Sequence, residues 1–250
     1  MEYLTREELL GRNRNDAHEI LENCAGKSIR DNFASKVFDS AVKSNFGDKA
    51  RIASVLDLGT ARGAFVEKIS AAGYLSVYGT DVDDYVRPDN KKLLKEFRTV
   101  DLSWDKIPWP DDHFDVVVAW CVLPHLENPF HCVREVRRVL KPGGIFIFTA
   151  PYLASKPSAD YFVERKDFGS YRANNNHLVL FPSGVVKKSI LKYFDLIDIE
   201  YHFRPKVFLG WKGPIRKWLY RLAKLMGRVW IKKLAERWAY NIVYVLRNKK

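Results

Sequence analysis

Val55-Leu56-Asp57-Leu58-Gly59-Thr60-Ala61-Arg62-Gly63-Ala64-Phe65 is an apolar run that ends on an acid, turns through two glycines and enters a helix-forming stretch. The apolar start reads as a strand buried on both faces. Gly59 and Gly63 allow backbone turns that other residues resist, and a helix opening at Ala64 offers its N-terminus to a ligand. The spacing is Asp-x-Gly-x-x-x-Gly, not the Gly-x-Gly-x-x-Gly of a dinucleotide-binding turn. With the acid leading, the turn repels a pyrophosphate and attracts an ammonium group. The expected ligand is therefore cationic and nucleoside-bearing, with an amino-acid end.

Outward from this turn, strands and helices alternate. Residues 53–58, 75–81, 97–101, 114–120 and 145–150 read as strands, with helices clearest at 64–72 and 129–140. That order predicts a parallel sheet with helices on both faces, which takes its ligands at the carboxyl ends of the strands. Gly143 and Gly144 read as turn residues ahead of the fifth strand. Later, 183–193 reads as a helix, and 196–203 and 240–247 read as strands. If these two pair as an antiparallel hairpin, residues 204–239 are an insertion at its tip. Ahead of the sheet, residues 1–50 read as a helical extension to a domain spanning 51–250. A capping box at Thr5 and Glu8 opens it, and a second helix covers about 35–44.

The chain has 250 residues, 47% of them hydrophobic and 29% charged, which suits one soluble globular α/β domain. The charged N-terminus lacks the apolar core of a signal peptide, and no apolar run approaches the ~20 residues of a membrane span. Cys24, Cys121 and Cys132 have no metal or redox spacing, so reduced thiols, no metal site and a cytoplasmic location are expected. The formal charge of +12 is unevenly placed. Residues 204–250 hold 14 Lys+Arg against the single acid Glu236, whereas residues 1–203 hold 28 against 29 acids.

These motifs resemble those of the class I S-adenosylmethionine-dependent methyltransferases. Asp57–Gly63 is similar to their motif I, and Val77-Tyr78-Gly79-Thr80-Asp81 to the second strand, whose terminal acid accepts from both ribose hydroxyls. Val100-Asp101-Leu102 is similar to the segment that brackets the adenine, Asp101 taking the exocyclic amine and Leu102 covering the ring. Phe114–Val118, Leu123-Pro124-His125-Leu126 and Arg138–Gly144 resemble the type 11 branch, which includes the ubiquinone and menaquinone biosynthesis enzymes and many small-molecule, lipid and sugar methyltransferases. The resemblance runs over roughly 50–200 and implies a Rossmann-like, mostly parallel seven-stranded sheet with a C-terminal antiparallel hairpin. It implies S-adenosylmethionine as cofactor, S-adenosylhomocysteine as product, and cofactor contacts at Asp57, Gly59, Thr60, Ala61, Gly63, Asp81, Val82, Asp101, Leu102 and Trp120. Ala61 departs from the pattern, standing where the family often has a second glycine.

Methyl transfer from a sulfonium needs alignment, exclusion of water and, for a hydroxyl acceptor, removal of a proton. Histidine suits that last task near neutral pH. Among the six histidines, His125 follows the fourth strand and His177 lies in the connection after the fifth; these two are the candidate bases. His113, His131 and His202 read as packing or surface residues. No Asn-Pro-Pro-Tyr-type motif follows the fourth strand, which argues against nucleobase and glutamine N-methylation. The expected reaction is methyl transfer to an oxygen, with a nitrogen as the lesser alternative, of a small molecule, lipid or lipid-linked glycan. Residues 151–181, rich in aromatics, read as a lid-like connection.

In the basic insertion, Ile215, Trp218, Leu219, Leu222, Leu225, Met226 and Val229 recur at helical spacing beside a Lys/Arg stripe. Such a face suits an anionic membrane surface, here residues 211–238 of a peripheral protein. A helix packed on the domain and a nucleic-acid surface are the other readings. Two further functions stand against a small-molecule enzyme: RNA methylation, and a catalytically inactive cofactor-binding module acting through its basic helix.

Overall fold

The computed structural model describes residues 29–171, 176–202 and 228–250. In chain order its elements are α1 (Ile29–Phe46), β1 (Val55–Leu58), α2 (Ala64–Ala71), β2 (Val77–Asp81), α3 (Pro88–Lys91), β3 (Glu96–Thr99), β4 (Phe114–Ala119), α4 (Pro129–Val139), β5 (Leu140–Pro151), α5 (Lys156–Arg165), α6 (Ser183–Ser189), β6 (Phe194–His202), α7 (Arg228–Trp238) and β7 (Asn241–Asn248). Short 3-10 turns cover Gly47–Ile52 and Leu123–His125. One seven-stranded sheet has the order β3-β2-β1-β4-β5-β7-β6. The first five strands in that row run parallel, and β7 pairs antiparallel with both β5 and β6. The doubly wound sheet and its terminal antiparallel pair are thus as the residue pattern predicts.

Alternation along each strand sends side chains to two cores. On one face, Leu56, Leu58, Val117 and Ala119 pack with Cys132, Val133 and Val136 of α4 and with Val186 of α6. On the other, Val55, Val77, Val116 and Val118 pack with Phe38 and Val42 of α1 and Phe65, Val66 and Ile69 of α2. Phe38 meets Phe65 at 5.4 Å and Tyr74 at 4.9 Å between ring centroids, which builds α1 into the second core rather than leaving it an appendage. The helix expected over 35–44 is longer, reaching from Ile29 to Phe46; the expected helix at Thr5 lies outside the described residues.

Element ends differ from expectation where the backbone compensates for a poor sequence signal. Gly143 and Gly144 lie inside β5, not ahead of it. Gly143 takes φ +71° and the β4–β5 register shifts between Phe114 and Val116, so the glycines form an irregularity that the strand passes through. The helix expected over 183–193 stops at Ser189, where Tyr193 N–H donates to the Ile190 carbonyl and hands the chain to β6. β6 and β7 do pair as the expected antiparallel neighbours, with most of the basic insertion between them.

Candidate cofactor and acceptor site

β1, β2 and β3 are adjacent, and each ends in or beside an acid: Asp57, Asp81 and Asp101. Register places Asp57 opposite Gly79 on β2 and Val118 on β4. Asp57 is 2% exposed, and no described residue donates a hydrogen bond to its carboxylate. Burial, and secondarily the Asp81 carboxylate, hold its pKa well above the usual range. A buried carboxyl without a donor is costly unless a ligand supplies one.

Asp81 is organised differently. Its Oδ2 accepts from the Ala61 N–H and its Oδ1 from the Val82 N–H, both at 2.8 Å. Burial raises its pKa, against the pull of those two N–H groups. The carboxylate is therefore held in one orientation, with lone pairs remaining on both oxygens for a pair of hydroxyl donors. Asp101 accepts from the Ser103 N–H at 2.9 Å and caps the turn after β3. Leu102, 6% exposed, belongs to the core on the α4 face, so its side chain is part of that packing.

The motif I loop is close-fitting. Gly59 and Gly63 have φ +67° and +79°. A Cβ on Gly59 would meet Val122 Cγ2 at 2.6 Å, and one on Gly63 would meet Asn90 Cβ at 2.7 Å. Thr60 Oγ1 donates toward the Asp57 carbonyl at 3.0 Å, closing the turn. Ala61, in the place of the missing glycine, takes φ +50°, a left-handed conformation that costs an alanine about 1–2 kcal/mol. This conformation is the one that turns its N–H onto Asp81.

Beyond β4, Cys121 is also left-handed at φ +58°, its N–H donating to Thr149 Oγ1 at 2.6 Å. Trp120 packs against the α2-side core, its ring 5.4 Å from Phe65. The two candidate bases, distant in sequence, come together: the His125 and His177 rings are 4.5 Å apart between centroids. His125 Nδ1 pairs with the Asn176 carbonyl at 3.1 Å, and His177 Nδ1 with the Ser170 carbonyl. A carbonyl can only accept, so in the neutral rings both Nδ1 atoms carry the proton and both Nε2 atoms are basic. Burial lowers the His177 pKa, against the opposing Ser170 carbonyl. Tyr171 borders the pair, its ring 5.3 Å from His177 and its hydroxyl donating to the Val179 carbonyl at 3.0 Å. The Leu178 and Val179 N–H groups both donate to the Pro124 carbonyl, which ties the connection to the turn carrying His125.

His131 bonds the Asp105 carbonyl and His202 stacks on Phe33 at 4.8 Å, so both are structural as expected. Val122 and Asn90 were not foreseen; each is defined by a long-range neighbour that leaves no mark in local spacing. Among the described residues no group of three or more His, Cys, Asp or Glu is placed to hold a metal ion.

Acids at three strand ends and a glycine turn, at the carboxyl edge of a doubly wound sheet, are the ligand-binding arrangement of the Rossmann-like class of fold. Residues 56–148 match the methyltransferase-domain model of type 11. The chain is 32% identical over 98 residues to a sterol 24-C-methyltransferase of Gibberella zeae, covering 37% of this chain and 26% of that protein. It is 27% identical over 169 residues to a ubiquinone/menaquinone biosynthesis C-methyltransferase of Burkholderia mallei, covering 59% of this chain and 69% of that one. Among solved structures, the [4+2]-cyclase SpnF superposes with a TM-score of 0.57 at 17% identity, over 86% of this chain and 81% of SpnF, which speaks to the fold. Residues 56–148 thus read as a class I methyltransferase domain of the type 11 kind. S-adenosylmethionine is the cofactor this domain implies, and the residues present fit it: a donorless buried carboxyl for an ammonium, an oriented carboxylate for a diol, and glycines where a Cβ would intrude.

Proposed function

We propose that this protein transfers a methyl group from S-adenosylmethionine to a small, lipid-like acceptor that must lose a proton, at a hydroxyl oxygen or an activated carbon. The single observation behind this reading is the His125–His177 pair at the carboxyl edge of β4, each ring with its Nδ1 paired to a backbone carbonyl. When bound, the cofactor supplies an electrophilic methyl group. Asp57, Gly59, Thr60, Ala61, Gly63, Asp81, Val82 and Asp101 seat it, with Leu102 lending shape from the core and Trp120 forming a wall. His125 Nε2 takes the acceptor's proton, and the buried His177 ring beside it stays neutral and keeps His125 from turning away. The connection 151–181 acts as the lid that excludes water.

The relatives named for sterol and quinone C-methylation favour an apolar acceptor. Their names support carbon, beside the oxygen expected from the sequence, as the methylated atom. A membrane surface, through residues 211–238, suits such an acceptor. In α7, however, Lys232 pairs with Asp198 of β6 at 2.6 Å, and Ala235 is buried. One face of the described end of the insertion is thus packed on the domain, while residues 211–227 lie outside the described residues. The test is incubation with methyl-labelled cofactor and a panel of quinol, sterol and phenolic acceptors. Labelled product and S-adenosylhomocysteine are expected; cofactor binding without turnover of any acceptor supports the inactive module, and labelled RNA supports the nucleic-acid reading.

A further inference from the structure

None of the ten residues of α5, Lys156–Arg165, is buried, and the helix is held by its ends instead. At its start the buried Ser155 accepts from the Ser158 N–H, and at its finish the left-handed Lys166 donates its N–H to the Phe162 carbonyl at 2.8 Å. Pro157, Ser158 and Tyr161 are half-buried and form its inward side. Ala159, Phe162, Val163 and Lys166 recur at helical spacing and are exposed. A helix this short draws its stability from covering such a stripe, yet here the stripe is uncovered.

Val163 is 66% exposed and does not stand alone. Ten large apolar side chains are exposed among the described residues, and four of them, Phe162, Val163, Leu178 and Leu180, lie on the connection after β5. Over 177–180 the chain alternates, His177 and Val179 half-buried, Leu178 and Leu180 exposed. Contacts join the two segments. Phe162 stacks on Phe168 at 4.9 Å, the Phe168 carbonyl accepts from the Tyr171 N–H at 2.7 Å, and the Tyr171 ring borders His177. The exposed apolar surface therefore reaches from α5 to the histidine pair.

Charge is the second observation. β7 runs antiparallel to β5, which puts the β6–β7 connection at the carboxyl edge of the sheet, on the side of His125. That connection belongs to residues 204–250, with 14 Lys+Arg against one acid. Its described end, α7, packs against α5 and β6 and exposes Lys233 and Arg237. The acids of α5, Asp160 and Glu164, lie one turn apart on its flank, Asp160 paired with Lys156 at 2.8 Å. An apolar stripe bordered by an excess of cations suits the surface of an anionic bilayer. Among the described residues no helix is long and apolar enough to cross a membrane, so the contact is one of lying on it.

We propose that α5 and residues 178–180 rest in the surface of an anionic phospholipid bilayer. Phe162, Val163, Leu178 and Leu180 sit among the acyl chains, and the basic C-terminal segment meets the headgroups. An apolar acceptor then enters beside His177 directly from the lipid. That route rests on the lipid-like acceptor proposed above, whereas the bilayer contact stands without it.

The test is flotation with vesicles of equal parts phosphatidylglycerol and phosphatidylcholine, set against phosphatidylcholine alone. The wild-type protein should float with the anionic vesicles and about tenfold less with the neutral ones. Val163→Glu and, independently, Leu178→Glu should each reduce partitioning about tenfold, and Val163→Trp should raise it. Ile52→Glu makes the same charge change at a side chain 71% exposed ahead of β1, at the opposite edge of the sheet, and should leave flotation unchanged. No flotation of the wild type, equal loss in Val163→Glu and Ile52→Glu, or no loss in Val163→Glu and Leu178→Glu overturns the bilayer contact. A lower melting temperature in Val163→Glu with flotation intact assigns the stripe to a cover within the protein and overturns it too. Turnover of acceptors in detergent micelles, alongside any of these, leaves the methyl-transfer reading standing. Flotation as expected with no turnover of any acceptor keeps the bilayer contact and overturns the acceptor route.

Discussion

The imidazoles of His125 and His177 lie 4.5 Å apart, one on the turn after β4 and the other in the connection that follows β5. Each ring is oriented by a backbone carbonyl at Nδ1, and the connection is tied to Pro124 by two further N–H donors. The two imidazoles proposed for the acceptor site and the connection after β5 are therefore held together through one short turn. His125→Ala should lower kcat by about 10²–10³-fold with cofactor affinity unchanged by calorimetry. An unchanged kcat would remove His125 from the reaction.

Burial holds the His177 pKa below that of a solvated histidine. The unfolded chain then takes up a proton at a pH where the folded protein does not, so stability is fully present above about pH 6.5 and falls as pH drops below it. Melting temperatures measured from pH 7.5 to 5.5 should decline, and His177→Gln should flatten that decline. A variant that declines as steeply as wild type would place the proton-linked loss elsewhere.

Asp57 has the opposite linkage. Its raised pKa means that the folded state holds a proton the unfolded chain has released, so stability is greatest below the unfolded carboxylate range and declines as pH rises through the folded value. Asp57→Asn lacks this decline. At pH 7 it should melt at a higher temperature than wild type while binding S-adenosylhomocysteine at least tenfold more weakly, a trade of function for stability. Lower stability together with unchanged binding would contradict both halves.

Ala61→Gly should stabilise the protein by about 0.5–1 kcal/mol in urea unfolding, because relief of the left-handed strain at φ +50° exceeds the added freedom of the unfolded chain. Its N–H to Asp81 is retained, so cofactor affinity should hold. Ala61→Val should lose on both counts.

Gly59 and Gly143 share a positive φ, of +67° and +71°, but not their surroundings. A Cβ on Gly59 meets Val122 at 2.6 Å, whereas one on Gly143 meets nothing within 4 Å. Gly143→Ala should cost about 1–2 kcal/mol for conformation alone. Gly59→Ala should cost more and should also weaken cofactor binding, because Val122 must shift; equal costs would mean that the loop yields freely.

The sheet, its parallel order and the three acids were legible in the chain, because each depends on interactions within a few residues. The strand at Val55–Leu58 is a run of apolar side chains, the turn at Gly59–Gly63 needs glycine for its φ, and an acid at a strand end is a property of position. The terminal hairpin was readable as two alternating segments, its antiparallel pairing being implied by the family resemblance. Other features depended on contacts across the fold. No spacing rule brings His177 to His125, turns the Ala61 N–H onto Asp81, or lodges Leu102 in the core on the opposite face of the sheet from Trp120. The irregularity at Gly143 likewise became part of β5 only because the β4–β5 pairing continues on both sides of it. By itself the sequence determined which cofactor the domain is built to hold, since that chemistry is written in short motifs. Only the tertiary structure decided which buried groups lack partners, because the match of donor to acceptor is settled by neighbours on other strands.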